Sequence, residues 1–570
     1  MKHLFLIYIV LLAGFTFSQG SDEVILQSGG NRTVEKAYRI TEQPKIIDTI
    51  LPSPVLEYPL LAVKHESQIQ LDPIAPASIK TVDKLNQLYS TYVKLGIGSQ
   101  IMPLGEVYFN NKRTRKYQYG VHAKHLSFFG KIKDYAPAQF DRTKVNAFGG
   151  INEEKYSLMA DLHYQNRGLH YYGLRVPKDS ISKDSIAQRF QEVGANLKFA
   201  SHQEDSAHLN YQIRLDYAYF TSKKPENSEL AKRRVQENYF SLAGKGMYQY
   251  GSELFSLDLG VKYNGYQYGF TDTTISKLDT ALKLNNTIIH LFPSVETTLW
   301  KNKFKAVLGV NLVLDIHEKT KFHAYPMIEV KYSFFKDLFI PFVGIRGGLT
   351  QNSFRTLSYT NEFMTLQQTL QNQNTAIEVY GGFKGTLSKR ISFNINGSYG
   401  RVQNLGMFIN DTVYARGNQF RMIYDTATVS HLEGSISYQL DEKWKIDVLA
   451  KYHAYQMKNE SFAWNLPTFE SNVRGSYNLY DKFIFNLDLT LQGGRRALVY
   501  DSVSSDHYEN LQYSKKLGFL ADVNLGIEYR YNKRISAFLQ GNNLVAQRYR
   551  RWYNYPVQGI QVIGGITFRF

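Results

Sequence analysis

His125-Leu126-Ser127 is the part of this chain best suited to covalent chemistry. Residues two apart on a strand share a face, so an imidazole there could act as base toward the hydroxyl of a nucleophile. Such a site also needs a group that orients the base and donors for an oxyanion, and neither is readable from sequence. A small polar pair after the serine would strengthen the reading, but Phe128-Phe129 stands there. The two residues therefore read as ordinary strand positions, no catalytic residue is assigned, and the chain is not expected to be an enzyme. His122 and His125 are three apart and would face opposite sides of a strand, which is wrong for shared metal ligation. The chain has 14 His but no Cys, so thiolate sites and disulfides are excluded; no metal and no cofactor is expected. Gly381-Gly382 and Gly493-Gly494 are followed by no helix and read as bends in or beside strands, not phosphate cradles. Arg495-Arg496 could meet an anionic sugar or lipid phosphate, with a solvated loop as the default reading.

The elements that would carry these residues are strands. Phe255, Leu257, Leu259, Val261 and Tyr263 alternate with Ser256, Asp258, Gly260, Lys262 and Asn264. Trp444 to Tyr452, Phe483 to Leu491 and Leu517 to Tyr529 repeat the pattern. Each stretch can cross a bilayer as a tilted strand of about 9–11 residues, and a mid-strand Asp or Lys is tolerable only where that face lines a wet interior. The last strand is the clearest. Ile560, Val562, Gly564, Ile566, Phe568 and Phe570 form an oily face, while Gly559, Gln561, Ile563, Gly565, Thr567 and Arg569 form one that is small or polar at most positions.

Composition agrees. After the N-terminal segment no apolar run of about 18 residues occurs, which excludes a helical membrane protein. The mean hydropathy of −0.35 suits a barrel, where only alternate residues touch lipid. The 42 Tyr and 35 Phe would supply two interfacial girdles. The net charge of +17 is spread over short turns, not gathered on one patch, so no nucleic-acid partner is expected. Met1-Lys-His, the apolar run Leu4 to Phe15 and the small residues Thr16 and Ser18 form a cleavable export signal over residues 1–18. Residues 19–88 hold six of the 15 prolines without sustained alternation and read as an extended periplasmic or luminal arm.

Residues 89–570 are the barrel. Polar turns fall near Asn111, Glu153, Glu204, Gly251, Asn302, Lys336, Lys389, Glu442, Asp481 and Lys533, roughly 34 to 53 residues apart, which fits two strands and one longer loop. With a hairpin bent at Pro103 the count is 22 strands; 20 is the alternative. The fold class is all-β, a closed transmembrane antiparallel barrel with an extended N-terminal arm.

An aromatic C-terminal residue with apolar residues two and four before it, here Phe570, Phe568 and Ile566, resembles the assembly signal that ends bacterial outer-membrane barrels. Asn532 to Tyr549, with its Asn543-Leu544 pair, and Trp552-Tyr-Asn-Tyr-Pro556 resemble the C-terminal end of a TonB-dependent receptor. Tyr92 to Phe109 resembles the first strands of plugless receptor-like proteins of Bacteroidota. The resemblance implies a 22-stranded barrel in the outer membrane of a Gram-negative bacterium, in contact with lipid, lipopolysaccharide and the barrel-assembly machinery. It departs from the family in having about seventy residues where a folded plug would stand. Asp22 followed by Glu23, Val24, Ile25 and Leu26 is of the type of the family's energy-coupling segment, with a plain tail as the competing reading. Three functions remain open: solute passage or uptake, a non-transporting barrel whose arm docks a periplasmic or lipoprotein partner, and a lipid-hydrolysing barrel.

Overall fold

A segment with one oily and one wet face is stable between lipid and water only in a closed sheet, because hydrocarbon offers no partner to an unpaired edge. The computed structural model describes residues 88–570 except 113, 175–180, 203–208, 224–232, 271–281, 413–416, 442 and 502–510. The export signal, the proline-rich arm up to its last residue and Glu23, Val24, Ile25 and Leu26 lie outside the described residues.

Twenty-two strands form one antiparallel sheet. It closes where the first strand, Thr91–Gly98, pairs with the last, Gln561–Arg569, with Tyr92 opposite Arg569 and Gly98 opposite Ile563. Phe570 closes one end of this seam, donating its N–H to the Thr91 carbonyl (2.9 Å) and accepting from the Ser90 N–H (2.7 Å).

The alternation sorts as lipid and water require. In the strand Glu253–Phe270, Phe255, Leu257 and Leu259 point outward and are exposed, whereas Asn264 is buried and Asp258 meets Lys245 of the neighbouring strand at 3.5 Å. Apolar outside and polar inside is stable only with hydrocarbon around the wall. No helix among the described residues is long and apolar enough to cross a membrane; the strands cross it.

Eight of the ten expected turn centres lie in described connections between paired strands, and Glu204 and Glu442 lie outside the described residues between strands that pair. Trp300, Lys301 and Asn302 reverse the chain with φ of 52°, 56° and 66°, and Tyr480 and Asp481 do so with 52° and 56°. Two expectations shift. The first hairpin turns at Ser99–Ile101, and Pro103 sits inside the second strand opposite Ile97. The strand expected from Leu517 begins at Leu520, because Leu517 is buried against the base of a hairpin outside the wall, Arg496–Asp501 with Leu511–Lys516.

Candidate functional site

Inward-facing charges along the wall are mostly paired with neighbours. Glu106 meets His122 at 3.1 Å and Lys124 at 3.7 Å, Arg346 meets Glu378 at 3.0 Å, and Lys451 meets Glu433 at 3.1 Å. Pairing offsets the desolvation of a charge in a confined wet space.

The connection of residues 351–372, between the strands Ile340–Thr350 and Gln373–Ser388, should by chain order lie outside the cell; it folds into the lumen instead. Its first part is the helix Phe354–Thr360. Ser353 Oγ accepts the Thr356 N–H at 3.1 Å, and Thr356 Oγ1 accepts the Ser353 N–H at 3.2 Å, a reciprocal cap that satisfies two free donors. A helix this short is not stable alone, so its surroundings must hold it. Phe354 is fully buried among Phe190, Phe220 and Tyr266, with ring centroids 5.9–6.0 Å away.

Charge and hydrogen bonding hold the rest. Glu237 accepts the Arg355 N–H at 2.7 Å, and the Arg355 guanidinium reaches Glu192 at 3.1 Å. Arg167 donates to the Ser358 carbonyl (2.9 Å) and hydroxyl (2.7 Å) and lies 4.0 Å over the Tyr359 ring. Arg142 grips Glu362 with two contacts of 2.7 and 2.8 Å. Further along, Tyr171 and Tyr266 donate to the Met364 and Leu366 carbonyls, and Asn372 donates to Asp315 at 2.8 Å. Arg142 is on the fourth strand and the loop leaves the thirteenth, so in a wall of 22 the loop spans most of the lumen's width.

Other connections at the long-loop end of the barrel pack on it. Phe363 stacks on Tyr555 at 3.8 Å, Tyr172 meets Tyr555 edge-on at 4.8 Å, and Trp552 packs on Phe420 at 5.5 Å. The Trp552 to Pro556 stretch singled out in the sequence thus contributes to an aromatic lid. Asn543 braces it, donating to the Gln547 and Gln558 carbonyls at 3.0 and 2.9 Å.

Burial raises the pKa of Glu362, but Arg142, Arg167 and Arg551 together hold it below its ordinary 4.5. A depressed carboxylate contributes stability above its unfolded value and loses it as pH falls through the folded value. Lowering the pH from 7 to below 4.5 should therefore loosen the loop. Limited proteolysis or hydrogen exchange of residues 354–369 should show this acid-dependent loosening, and Glu362→Gln should flatten it.

The other sequence-derived candidates separate. Ile566 and Phe570 are exposed on the outer face of the last strand, with Phe568 between them partly covered. Ser127 Oγ lies 2.8 Å from His125 Nε2, so that pair does come together. His122 faces the other way and bonds Glu106. Gly381 and Gly382 lie within a strand, and Gly494 has φ of +75° against Thr468. Arg495 and Arg496 do not form a solvated loop: Arg495 is buried and donates to the Arg550 and Arg551 carbonyls, and Arg496 lies 4.2 Å over the Phe462 ring. The inward loop was missed. The signal for it was Phe354, Leu357, Met364, Leu366 and Leu370 in a segment expected to be solvated.

No family model matches the chain, and no curated protein matches its sequence. Solved structures share its fold at low identity. The FrpB iron transporter from Neisseria meningitidis aligns with a TM-score of 0.64 at 9% identity, over 86% of this chain and 82% of that one. The ferripyoverdine receptor of the outer membrane of Pseudomonas aeruginosa gives 0.61 at 12%, over 85% and 72%. The siderophore receptor PirA from Acinetobacter baumannii gives 0.60 at 12%, over 85% and 81%. With its closed wall of 22 antiparallel strands, the chain has the fold of the TonB-dependent outer-membrane receptors.

Proposed function

We propose that this protein passes a solute across the outer membrane, and that residues 351–372 gate the passage. The observation that carries this reading is a polar, charge-lined lumen whose extracellular part is crossed by one capped, hydrogen-bonded loop. The solved neighbours include an iron transporter and siderophore receptors, which supports passage without identifying the solute. In this reading residues 1–18 direct export and are removed. Ile566, Phe568 and Phe570 present the chain to the assembly machinery, and the arm of residues 19–88 reaches a periplasmic partner or the lumen. Single-channel recording in planar bilayers tests the gate: the intact chain should give small steps, and shortening the loop should enlarge them.

The density of ties on the loop supports a second reading, a non-transporting barrel that serves a larger envelope complex as a structural or assembly partner. A stoichiometric partner should then co-purify in mild detergent at native expression. Purification of the barrel alone under those conditions would remove this reading and leave the first.

A further inference from the structure

One luminal row of the wall carries more positive charge than its acids answer. Tyr119 and Val121 are exposed on the outer face, so His122 and Lys124 on the same strand face the lumen. Through the register, Lys94, Glu106, Lys124, Lys144, Gln165 and Glu192 stand opposite one another in a single row across successive strands. Glu106 lies between Lys94 and Lys124, and Glu192 is taken up by Arg355 and His163. Lys144 is left over: among the described residues no acid forms an ion pair with it, and directly opposite it stands a second lysine. Like charges placed opposite each other on adjacent strands destabilise a sheet. The wall itself gains nothing from this pair.

The next row toward the long-loop end extends the excess. Arg142 and Arg167 are opposite each other, two residues beyond Lys144 and Gln165. The acid that answers them comes from the inward loop, where one guanidinium nitrogen of Arg142 holds both oxygens of Glu362 at 2.7 and 2.8 Å. Arg167 forms no ion pair among the described residues, and its two contacts with the loop are the neutral carbonyl and hydroxyl oxygens of Ser358. The Tyr359 hydroxyl reaches Gln165 and Glu192 in the first row. The loop thus lays carboxylate, carbonyl and hydroxyl oxygens on a patch of cations, and one of these groups carries a full charge. The patch is wetted from the lumen, since the side chains of Arg142 and Lys124 keep 36% and 17% of their surface exposed.

We infer that Lys124, Lys144, Arg142 and Arg167 form a binding site for a small polyanion with carboxylate or phosphate oxygens, which Glu362 occupies in the closed state as an internal competitor. The fit is shown by the occupant, because a carboxylate already sits on Arg142 with both oxygens engaged. A dianion or trianion answers several of these cations at once, where Glu362 brings a single charge. It binds only when Glu362 has left, so its binding energy goes into releasing the loop. A neutral solute has no such differential affinity and leaves the loop in place. The inference rests on the reading of residues 351–372 as the gate, and adds the charge of the solute and the contact through which that solute opens it.

The test titrates the full chain in detergent with propane-1,2,3-tricarboxylate and, separately, with pyrophosphate, using calorimetry at low and moderate salt. Hydrogen exchange of residues 354–369 is followed alongside, and a neutral trisaccharide is the control. At least one anion should bind, more weakly as salt is raised, and should speed exchange in the loop, while the trisaccharide does neither. The tighter of the two anions distinguishes a carboxylate ligand from a phosphate ligand. Glu362→Gln frees Arg142 of its competitor and should tighten binding by roughly tenfold. Lys144→Gln relieves the lysine pair, so it should keep the heat-modifiable mobility of the folded barrel while weakening binding by about tenfold. Binding of neither anion at millimolar concentration, or an affinity indifferent to Glu362→Gln, overturns the inference. The gate is judged separately. Glu362-dependent binding with a conductance unmoved by loop removal upholds the site and removes the gate, whereas a conductance that rises on loop removal in a protein binding neither anion keeps the gate and overturns the site.

Discussion

Replacing residues 354–369 by a short glycine–serine linker is expected to raise single-channel conductance by about tenfold, since a wall of this strand number encloses a wide lumen once its filling is removed. The barrel should survive the change. Its strands are held by inter-strand hydrogen bonds that do not involve the loop, and Arg167, Glu192 and Glu237 would be hydrated, not stranded in hydrocarbon. A milder variant grades the effect. In Glu362→Ala the loop keeps its aromatic anchor and its other ties but loses both contacts from Arg142. Both side chains of this pair retain access to water, at 36% and 21%, so it falls short of a deep-interior pair. A loss of about 1–2 kcal/mol, or roughly tenfold in the open population, is the expected scale. Brief openings should then interrupt the closed level. A trace unchanged by removal of the loop would mean that something else closes the lumen, and the gate would be wrongly placed.

Gly565→Val should prevent the barrel from closing. Gly565 lies opposite Gly96 across the seam. A Cβ at 565 would collide with the Leu95 carbonyl oxygen, and would stand 2.6 Å from Gly96 Cα and 2.8 Å from the Phe538 ring that covers the pair. Lys94 Nζ lies 4.0 Å over that same ring. Overpacking a core costs about 1–3 kcal/mol when side chains can shift, and here the obstacle is backbone, so the loss should be larger. Gly564 supplies the control, because it faces lipid and its nearest atoms to an added Cβ are at ordinary contact distances of 3.6 and 3.8 Å. Gly564→Val should therefore keep the heat-modifiable mobility of the folded barrel while Gly565→Val loses it. Equal folding of the two variants would contradict this account of the seam.

The wall was legible because its solvent imposes a rule at every second residue. Phe255, Leu257 and Leu259 must meet lipid, and Asp258 cannot, so strand positions and turn spacing follow from the chain itself. The lumen was not legible, for the opposite reason. Phe354, Arg355, Ser358 and Glu362 find their partners at Phe190, Glu192, Arg167 and Arg142, which lie far away in sequence and share no local pattern with them. The His125 and Ser127 pair was visible, because residues two apart share a face by spacing alone. Arg495 illustrates a third case, a charged loop residue whose carbonyl partners at 550 and 551 are brought near only by the hairpin beside it.

The seam also has a consequence in time. Ser90 and Phe570 are 480 positions apart, whereas the other pairings of the wall join strands that follow one another along it. Hairpins can form as soon as their two arms exist, but the seam pairing waits for Gln561–Arg569, made long after its partner Thr91–Gly98, to be delivered. Until then two bare edges coexist, each able to recruit a foreign strand, and the entropy of joining such distant ends is lost in a single step. The sealed wall depends on its last-made strand, so the half-built sheet needs shelter for as long as that strand is in transit.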